Sequence, residues 1–226
     1  MVFDSKQAPD SIMTALQADH MFDSKSYLDS DARAGFVGIL LAAGSGMRFD
    51  PSGNHDKLRQ SLPEGCSVAV AAARNLLAAV PKVVAVVRPG AAALTDELTR
   101  LGCEVAICDD AADGMASSLV HALSLTLGAA GWVIALADMP RVQPATITAL
   151  VDAVGAGAHI AAPSYHGLRG NPVAFGPAHL PNMLLLTGDE GARRLLQTYF
   201  VTEIMVEDPG VRLDIDTPAD LRRLTT

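Results

Sequence analysis

From Phe36 onward, short apolar runs alternate with longer Ala-rich amphipathic stretches, and this rhythm constrains the fold more than any other feature of the chain. The runs at 36–42, 82–87, 104–107, 132–137 and 159–162 read as strands, and the run at 132–137 is apolar throughout, as in a strand buried on both faces. The stretches at 68–79, 91–101, 117–127 and 146–154 read as helices, with Arg74 and Asn75 on the wet face of the first. Strands and helices alternating at this spacing require βαβ crossovers, so the expected fold class is α/β with a mostly parallel sheet. Composition agrees. Half of the 226 residues are hydrophobic but only 4% are aromatic, which suits helices packed on a parallel sheet better than an aromatic-rich β-sandwich.

After Pro163 the rhythm loosens. Residues 164–170 read as a turn leading to a returning strand at 172–175, an antiparallel element in the sheet. A helix is expected over 188–199, strands at 201–206 and 211–215, and a closing helix over 217–224, where Thr217-Pro218 supplies N-cap and first-turn chemistry. Residues 1–35 differ: they are polar and acidic, and Phe3-Asp4-Ser5-Lys6 recurs as Phe22-Asp23-Ser24-Lys25, too short for a structural repeat. The expected organisation is a poorly ordered extension over 1–35 and one domain over 36–226.

A formal net charge of −8 argues against nucleic acid or an anionic membrane as partner. Arg74 and Lys82 interrupt the longest apolar stretch, so no membrane span is expected, and the N-terminus lacks the order of a signal peptide. Cys66, Cys103 and Cys108 form no C-x-x-C and read as thiols in a reducing cytosol. The six histidines show no metal-ligand spacing; His55, His121, His159, His166 and His179 read as surface or helix residues. The expectation is a cytoplasmic protein acting on small molecules.

The first chemical motif follows the first strand. Leu41-Ala42-Ala43-Gly44-Ser45-Gly46-Met47-Arg48 lets backbone N–H groups approach an anion closely. No Gly-Lys-Ser/Thr follows, so it is not a Walker loop, and Phe49 stands where a dinucleotide fingerprint needs its third glycine. A turn-rich stretch leads to Lys57. Glycine N–H groups and Arg48 are suited to hold β- and γ-phosphates, and Lys57 to offset charge on the α-phosphate. The second motif is a set of carboxylates at strand ends. Asp138 follows the strand at 132–137, at the sheet edge where open α/β folds bind ligands, and Pro140 ends that strand. In the strand expected at 211–215, alternation sends Asp214 and Asp216 to one face. Asp216 also precedes Thr217-Pro218, which leaves it open as helix-start turn chemistry. Mg²⁺ takes one or two such carboxylates plus phosphate oxygens and water.

The L-A-A-G-x-G-x-R loop, followed by a lysine before Leu62-Pro63, resembles the signature of the nucleotidyltransferases related to molybdenum cofactor biosynthesis. The resemblance covers 36–224 and implies a Rossmann-like, three-layer sheet of glycosyltransferase-A type. It implies that Asp138 binds Mg²⁺, with Asp214 or Asp216 helping. Gly114-Met115-Ala116-Ser117-Ser118 resembles the G-M-x-x-S stretch of the cytidylyltransferase branch, although ordinary helix capping uses the same residues. With Leu41, Ala42, Ala43, Gly44, Gly46 and Arg88 it is the implied nucleotide pocket, and Ala43 in place of a glycine favours cytidine over guanosine. Gly167-Leu168-Arg169-Gly170-Asn171-Pro172 and Gly188-Asp189-Glu190-Gly191-Ala192-Arg193 resemble acceptor-side stretches of the family, which often carries His where this chain has Asn171. Arg169, Gly170, Asn171, Gly188 and Asp189 are the implied contacts there. The implied reaction is Mg²⁺-dependent transfer of CMP from CTP to the terminal phosphate of molybdopterin, with hand-over to a molybdenum hydroxylase or its chaperone. Three alternatives stay open: another nucleotide or acceptor (GTP with molybdopterin, CTP with a sugar or polyol phosphate), a nicotinamide-dependent reductase, and a non-catalytic cofactor carrier.

Overall fold

The computed structural model describes residues 33, 35–189 and 191–225. The extension expected over 1–35 therefore lies outside the described residues, except for Gly35 and for Arg33, whose guanidinium makes two 2.8 Å bonds to Asp152.

The first half follows the sequence rhythm closely. Strand β1 (Phe36–Ala42) is followed by β2 (Lys82–Val87), β3 (Glu104–Ile107) and β4 (Gly131–Leu136). All four are parallel, in the order β3-β2-β1-β4. Helices α1 (Val68–Leu77), α2 (Ala92–Leu101), α3 (Met115–Ser124) and α4 (Pro144–Gly155) connect and flank them. The helix borders follow local chemistry. Ser67 caps α1 by accepting from Val70 N, Pro144 opens α4, and Gly102 ends α2 in a left-handed conformation.

Two apolar clusters, one on each face, make the three layers. On one face Leu76, Leu94, Leu98, Ile147 and Leu150 cover β1, β2 and β4; on the other, Leu119, Leu123, Met183 and Leu195 pack beneath Trp132 and Phe175. Gly38 lets α1 approach, since a Cβ there would lie within 3.0 Å of Leu76 and Val80 side-chain atoms. Trp132 is fully buried with its indole N–H bonded to Thr126 Oγ1 at 3.0 Å, so its burial leaves no donor unmatched.

The second half keeps the expected antiparallel element, the strand near 201–206 and the closing helix, and departs at the helix over 188–199 and the strand at 211–215. Strand β5 (Ile160–Tyr165) turns through His166 and Gly167, both at positive φ, into β6 (Leu168–Arg169) and then β7 (Val173–Phe175). β7 lies antiparallel between β4 and β5, while β8 (Thr202–Met205) runs parallel along β5. The helix expected over 188–199 shrinks to α6 (Arg193–Thr198), after the one-turn α5 (Leu180–Met183). The cause is local: Gly188 (φ 72°) and Gly191 (φ 51°) are left-handed and interrupt a right-handed helix. The strand expected at 211–215 is absent as well. Asp208 accepts from Gly210 N, Gln143 N and Thr146 Oγ1, curling Pro209–Arg212 into a 3₁₀ turn, and Val211 and Ile215 are buried as separate plugs. Helix α7 (Pro218–Thr225) closes the domain. Among the described residues no helix is long and apolar enough to cross a membrane.

Candidate active site

The loop after β1 runs along a cleft of about 700 Å³ at the carboxyl edge of the parallel strands. Leu41, Ala43, Gly44, Gly46 and Arg48 line it, whereas Ala42 points into the core with no exposed surface. The loop turns back on itself through Phe49 N and Asp50 N, which both donate to Gly46 O. Asp50 then organises the next stretch: Oδ1 accepts from the Ser52 hydroxyl and amide, and Oδ2 from His55 N. The Ser52 hydroxyl, then its amide, then the His55 ring hold the Asp50 carboxyl far below the usual carboxylate range. At the end of β2, Arg88 donates to Gly44 O at 2.8 Å and to Asp56 Oδ2 at 3.0 Å.

Lys57 opens a three-residue 3₁₀ turn capped by Asp56 and is 9% exposed. Its Nζ lies 2.7 Å from Asp138 Oδ2 and 3.3 Å from Asp216 Oδ1, and Arg48 also bonds Asp216. Asp138 stands just past β4, and Ile215 N donates to its carbonyl, tying the two acidic segments together. Asp138 Oδ1 is buried without a hydrogen-bond partner. The helix-start chemistry falls to other residues than Asp216: Thr217 and Asp220 bond reciprocally, and the Thr217 hydroxyl, ahead of its amide, lowers the Asp220 carboxyl. Asp214 is exposed and is not among the residues lining this cleft. The strand alternation that paired it with Asp216 is lost with the strand itself, leaving Asp138 and Asp216 as the facing carboxylates. Among the described residues no group of three or more His, Cys, Asp or Glu side chains is placed to hold a metal.

Gly114, Met115 and Ser118 line the same cleft; Ser117, one step around α3, does not. A second cleft of about 840 Å³ shares Leu41, Met115, Leu136 and Asp189 with the first. Arg169, Gly170 and Asn171 line it, as does Arg193. Gly188 lines neither cleft; its carbonyl accepts from Ala116 N at 3.0 Å, and a Cβ on Gly114 (φ 116°) would sit 2.5 Å from that carbonyl. Arg169 is steadied by Glu203 at 2.7 Å and holds the Glu203 carboxyl low. Gly170 presses on Val211 O, 2.3 Å from where a Cβ would lie. Glu190 lies outside the described residues.

Residues 38–204 match the family described as the MobA-like NTP transferase domain. The chain belongs to that family. It is 34% identical over 119 residues to the purine catabolism protein PucB of Bacillus subtilis (strain 168), covering 50% of this chain and 57% of PucB, so the match spans little more than half of that relative. Its backbone resembles the crystal structure of Rv0371c from Mycobacterium tuberculosis H37Rv with a TM-score of 0.74 and 28% identity, over 84% of this chain and 97% of that one. The manganese complex of Rv0371c matches with a TM-score of 0.70 and 28% identity, over 84% and 97% of the two chains.

In this MobA-like cleft several lining or supporting residues escaped sequence reading. Asp56 was hidden as the neighbour of Lys57, although an acid placed to cap the turn before a buried lysine is a usable signal. Asp109, past β3, lines the first cleft without any motif to mark it. Of the histidines, His179 is buried rather than on the surface, edge-on to Tyr199 with centroids 4.7 Å apart, and burial lowers its pKa.

Proposed function

We propose that this MobA-like transferase moves CMP from CTP to the terminal phosphate of molybdopterin, with Mg²⁺ as cofactor and pyrophosphate as the second product. One observation carries the reading: Lys57 bridges Asp138 and Asp216 in a cleft walled by the glycine loop, beside a second cleft lined by Arg169. The donor set fits the metal. Two carboxylates leave a small hard cation to complete its shell with phosphate oxygens and water, and the partnerless Asp138 Oδ1 is an oxygen such an ion satisfies. Asp138 and Asp216 would hold it, and when bound it supplies the positive charge that draws electrons from the reacting phosphorus. The manganese complex of Rv0371c supports a divalent ion in this fold.

The chain's own residues do the rest. Glycine-loop N–H groups and Arg48, whose side chain is 80% exposed and paired with Asp216, hold the β- and γ-phosphates. Lys57 neutralises charge that builds on the α-phosphate. A phosphate oxygen of the acceptor, held from the Arg169 side with Gly170, Asn171 and Asp189, forms a bond to the α-phosphorus. The bond to the bridging oxygen breaks, and pyrophosphate leaves with that electron pair. An acceptor phosphate needs no general base and no protein nucleophile, so positioning and electrostatics provide the rate. Leu41, Ala43, Gly114, Met115 and Ser118 surround the space for the base and ribose, and the Ala43 methyl favours the smaller cytosine.

The reductase alternative has less support. Dinucleotide sites set the pyrophosphate on a helix that directly follows the glycine loop, whereas residues 43–67 separate β1 from α1 here. We place the reaction in the cytoplasm, with a molybdenum hydroxylase or its chaperone as recipient of the product. The test is pyrophosphate release from CTP, GTP, ATP and UTP, with Mg²⁺, with and without molybdopterin. Release from CTP that requires molybdopterin and is lost in Asp138→Asn is the expected result. Release from GTP would move the protein to the guanylyl reaction, release with a sugar or polyol phosphate would change the acceptor, and no release despite tight cofactor binding would favour the carrier.

A further inference from the structure

We propose that Arg88 and Asp56 form a clamp that fixes the glycine loop against Lys57, making both of them positioning residues for the transfer and not readers of the base. The proposal rests on the nucleotidyl-transfer reading of the cleft. Residues 43–56 form the longest irregular stretch between elements in the first half, and both of its ends carry parts of the phosphate site. Arg88 joins those ends. It directly follows Val87, the last residue of β2, a strand held between β1 and β3. Its planar guanidinium gives one nitrogen to Gly44 O at 2.8 Å and the other to Asp56 Oδ2 at 3.0 Å. Such a two-pronged contact suits Arg and not Lys, whose ammonium is a compact point charge.

Each prong has a consequence for the phosphate site. With its carbonyl turned to Arg88, Gly44 presents no acceptor oxygen to the phosphates, which leaves the loop's N–H groups to face an anion. At the other end, Asp56 uses its second oxygen to accept from Leu58 N at 2.9 Å, and its own carbonyl accepts from Gln60 Nε2 at 2.8 Å. Those bonds define the turn from which Lys57 reaches Asp138 and Asp216. The Arg88 and Asp56 side chains are 33% and 20% exposed, so the contact is partly shielded from solvent. A guanidinium committed to these two acceptors sets the spacing between loop and lysine.

Acetic anhydride labelling of Lys57, read by peptide mass spectrometry, tests the clamp without substrate; pyrophosphate kinetics then test its purpose. In Arg88→Gln and in Asp56→Asn the labelling rate should rise about tenfold, with no further rise in the double variant, as expected for one shared contact. kcat/KM should fall about ten- to a hundredfold, by the same factor for every nucleotide the wild type uses, because misplacement is indifferent to the base. Arg59→Gln, which removes the neighbouring Arg59–Glu97 pair, should leave labelling at the wild-type rate. Wild-type labelling in both clamp variants would overturn the proposal. So would a changed preference among nucleotides in Arg88→Gln, which makes Arg88 a base reader, or full rescue by Arg88→Lys, which makes its charge sufficient. If labelling rises but the wild-type protein releases no pyrophosphate from any nucleotide, the transfer reading falls and the clamp loses its catalytic purpose.

Discussion

The two halves of this domain are built on different principles. In β1–β4 the strands are all parallel, in the order β3-β2-β1-β4, and β1 holds a six-residue register with each neighbour. Lys57, Arg88 and Asp138 hang from or lean on those strand ends. In the second half the pairings are short, β7 meets β5 at only two residue pairs, and order comes from isolated devices such as Asp208 and the pressed-in Gly170. On the proposed reading, a triphosphate is the same anion whatever acceptor it meets, so its site can stand on a rigid sheet edge. The proposed acceptor side stands on loops, which diversify without disturbing the sheet.

Four experiments would break or sharpen this contrast. Lys57→Met should lower kcat about a thousandfold with folding intact, as removal of a buried transition-state charge does; near-normal turnover would take the rigid half out of the chemistry. Asp208→Ala should cost about 3 kcal/mol in denaturant unfolding, because it strands three donors, Gly210 N, Gln143 N and the Thr146 hydroxyl. Hydrogen exchange should then rise around 200–216 and the start of α4; equal loosening of β1–β4 would erase the contrast. Arg169→Ala should raise the acceptor KM about tenfold and leave the nucleotide KM unchanged, since it removes one charged contact on one side. A matching rise in nucleotide KM would show that the clefts do not act separately.

The smallest effect concerns Cys103, buried beside β3, whose thiol is pushed from 9.0 up to about 11 by desolvation. Because the folded value is raised, the contribution is complete below pH 9 and is lost as pH rises towards 11, where the unfolded chain ionises first. Melting temperatures across that window should fall more steeply for the wild type than for Cys103→Val. Parallel curves would remove the effect.

The same contrast decides what the sequence disclosed. The strands and helices of the first half are legible within a few residues because burial on both faces imposes continuous apolar runs. Asp138 follows one of those runs, and Arg48 and Lys57 are marked by the glycine loop and the turn-rich stretch after the first. In the second half Val211 and Ile215 imitate a strand's alternation while serving as plugs, which misplaced Asp214 beside Asp216. Gly188 and Gly191 carry the pattern of a helix start and adopt left-handed turns instead. Ser117 and Ala42 belong to motifs whose neighbours line the cleft, but helix phase and strand pleat turn their own side chains elsewhere. The bridge from Arg88 to Asp56 spans residues far apart in the chain, and no local pattern announces it.

Gly114, on the wall of the first cleft, meets Gly188 main chain to main chain, a Cβ there lying 2.5 Å from the Gly188 carbonyl. Bare backbone is the thinnest wall a polypeptide can make, and its peptide groups keep that wall polar and stiff. Any side chain at Gly114 would push back the Gly188 segment, and with it Asp189, which lines both clefts, by about the width of a methyl group.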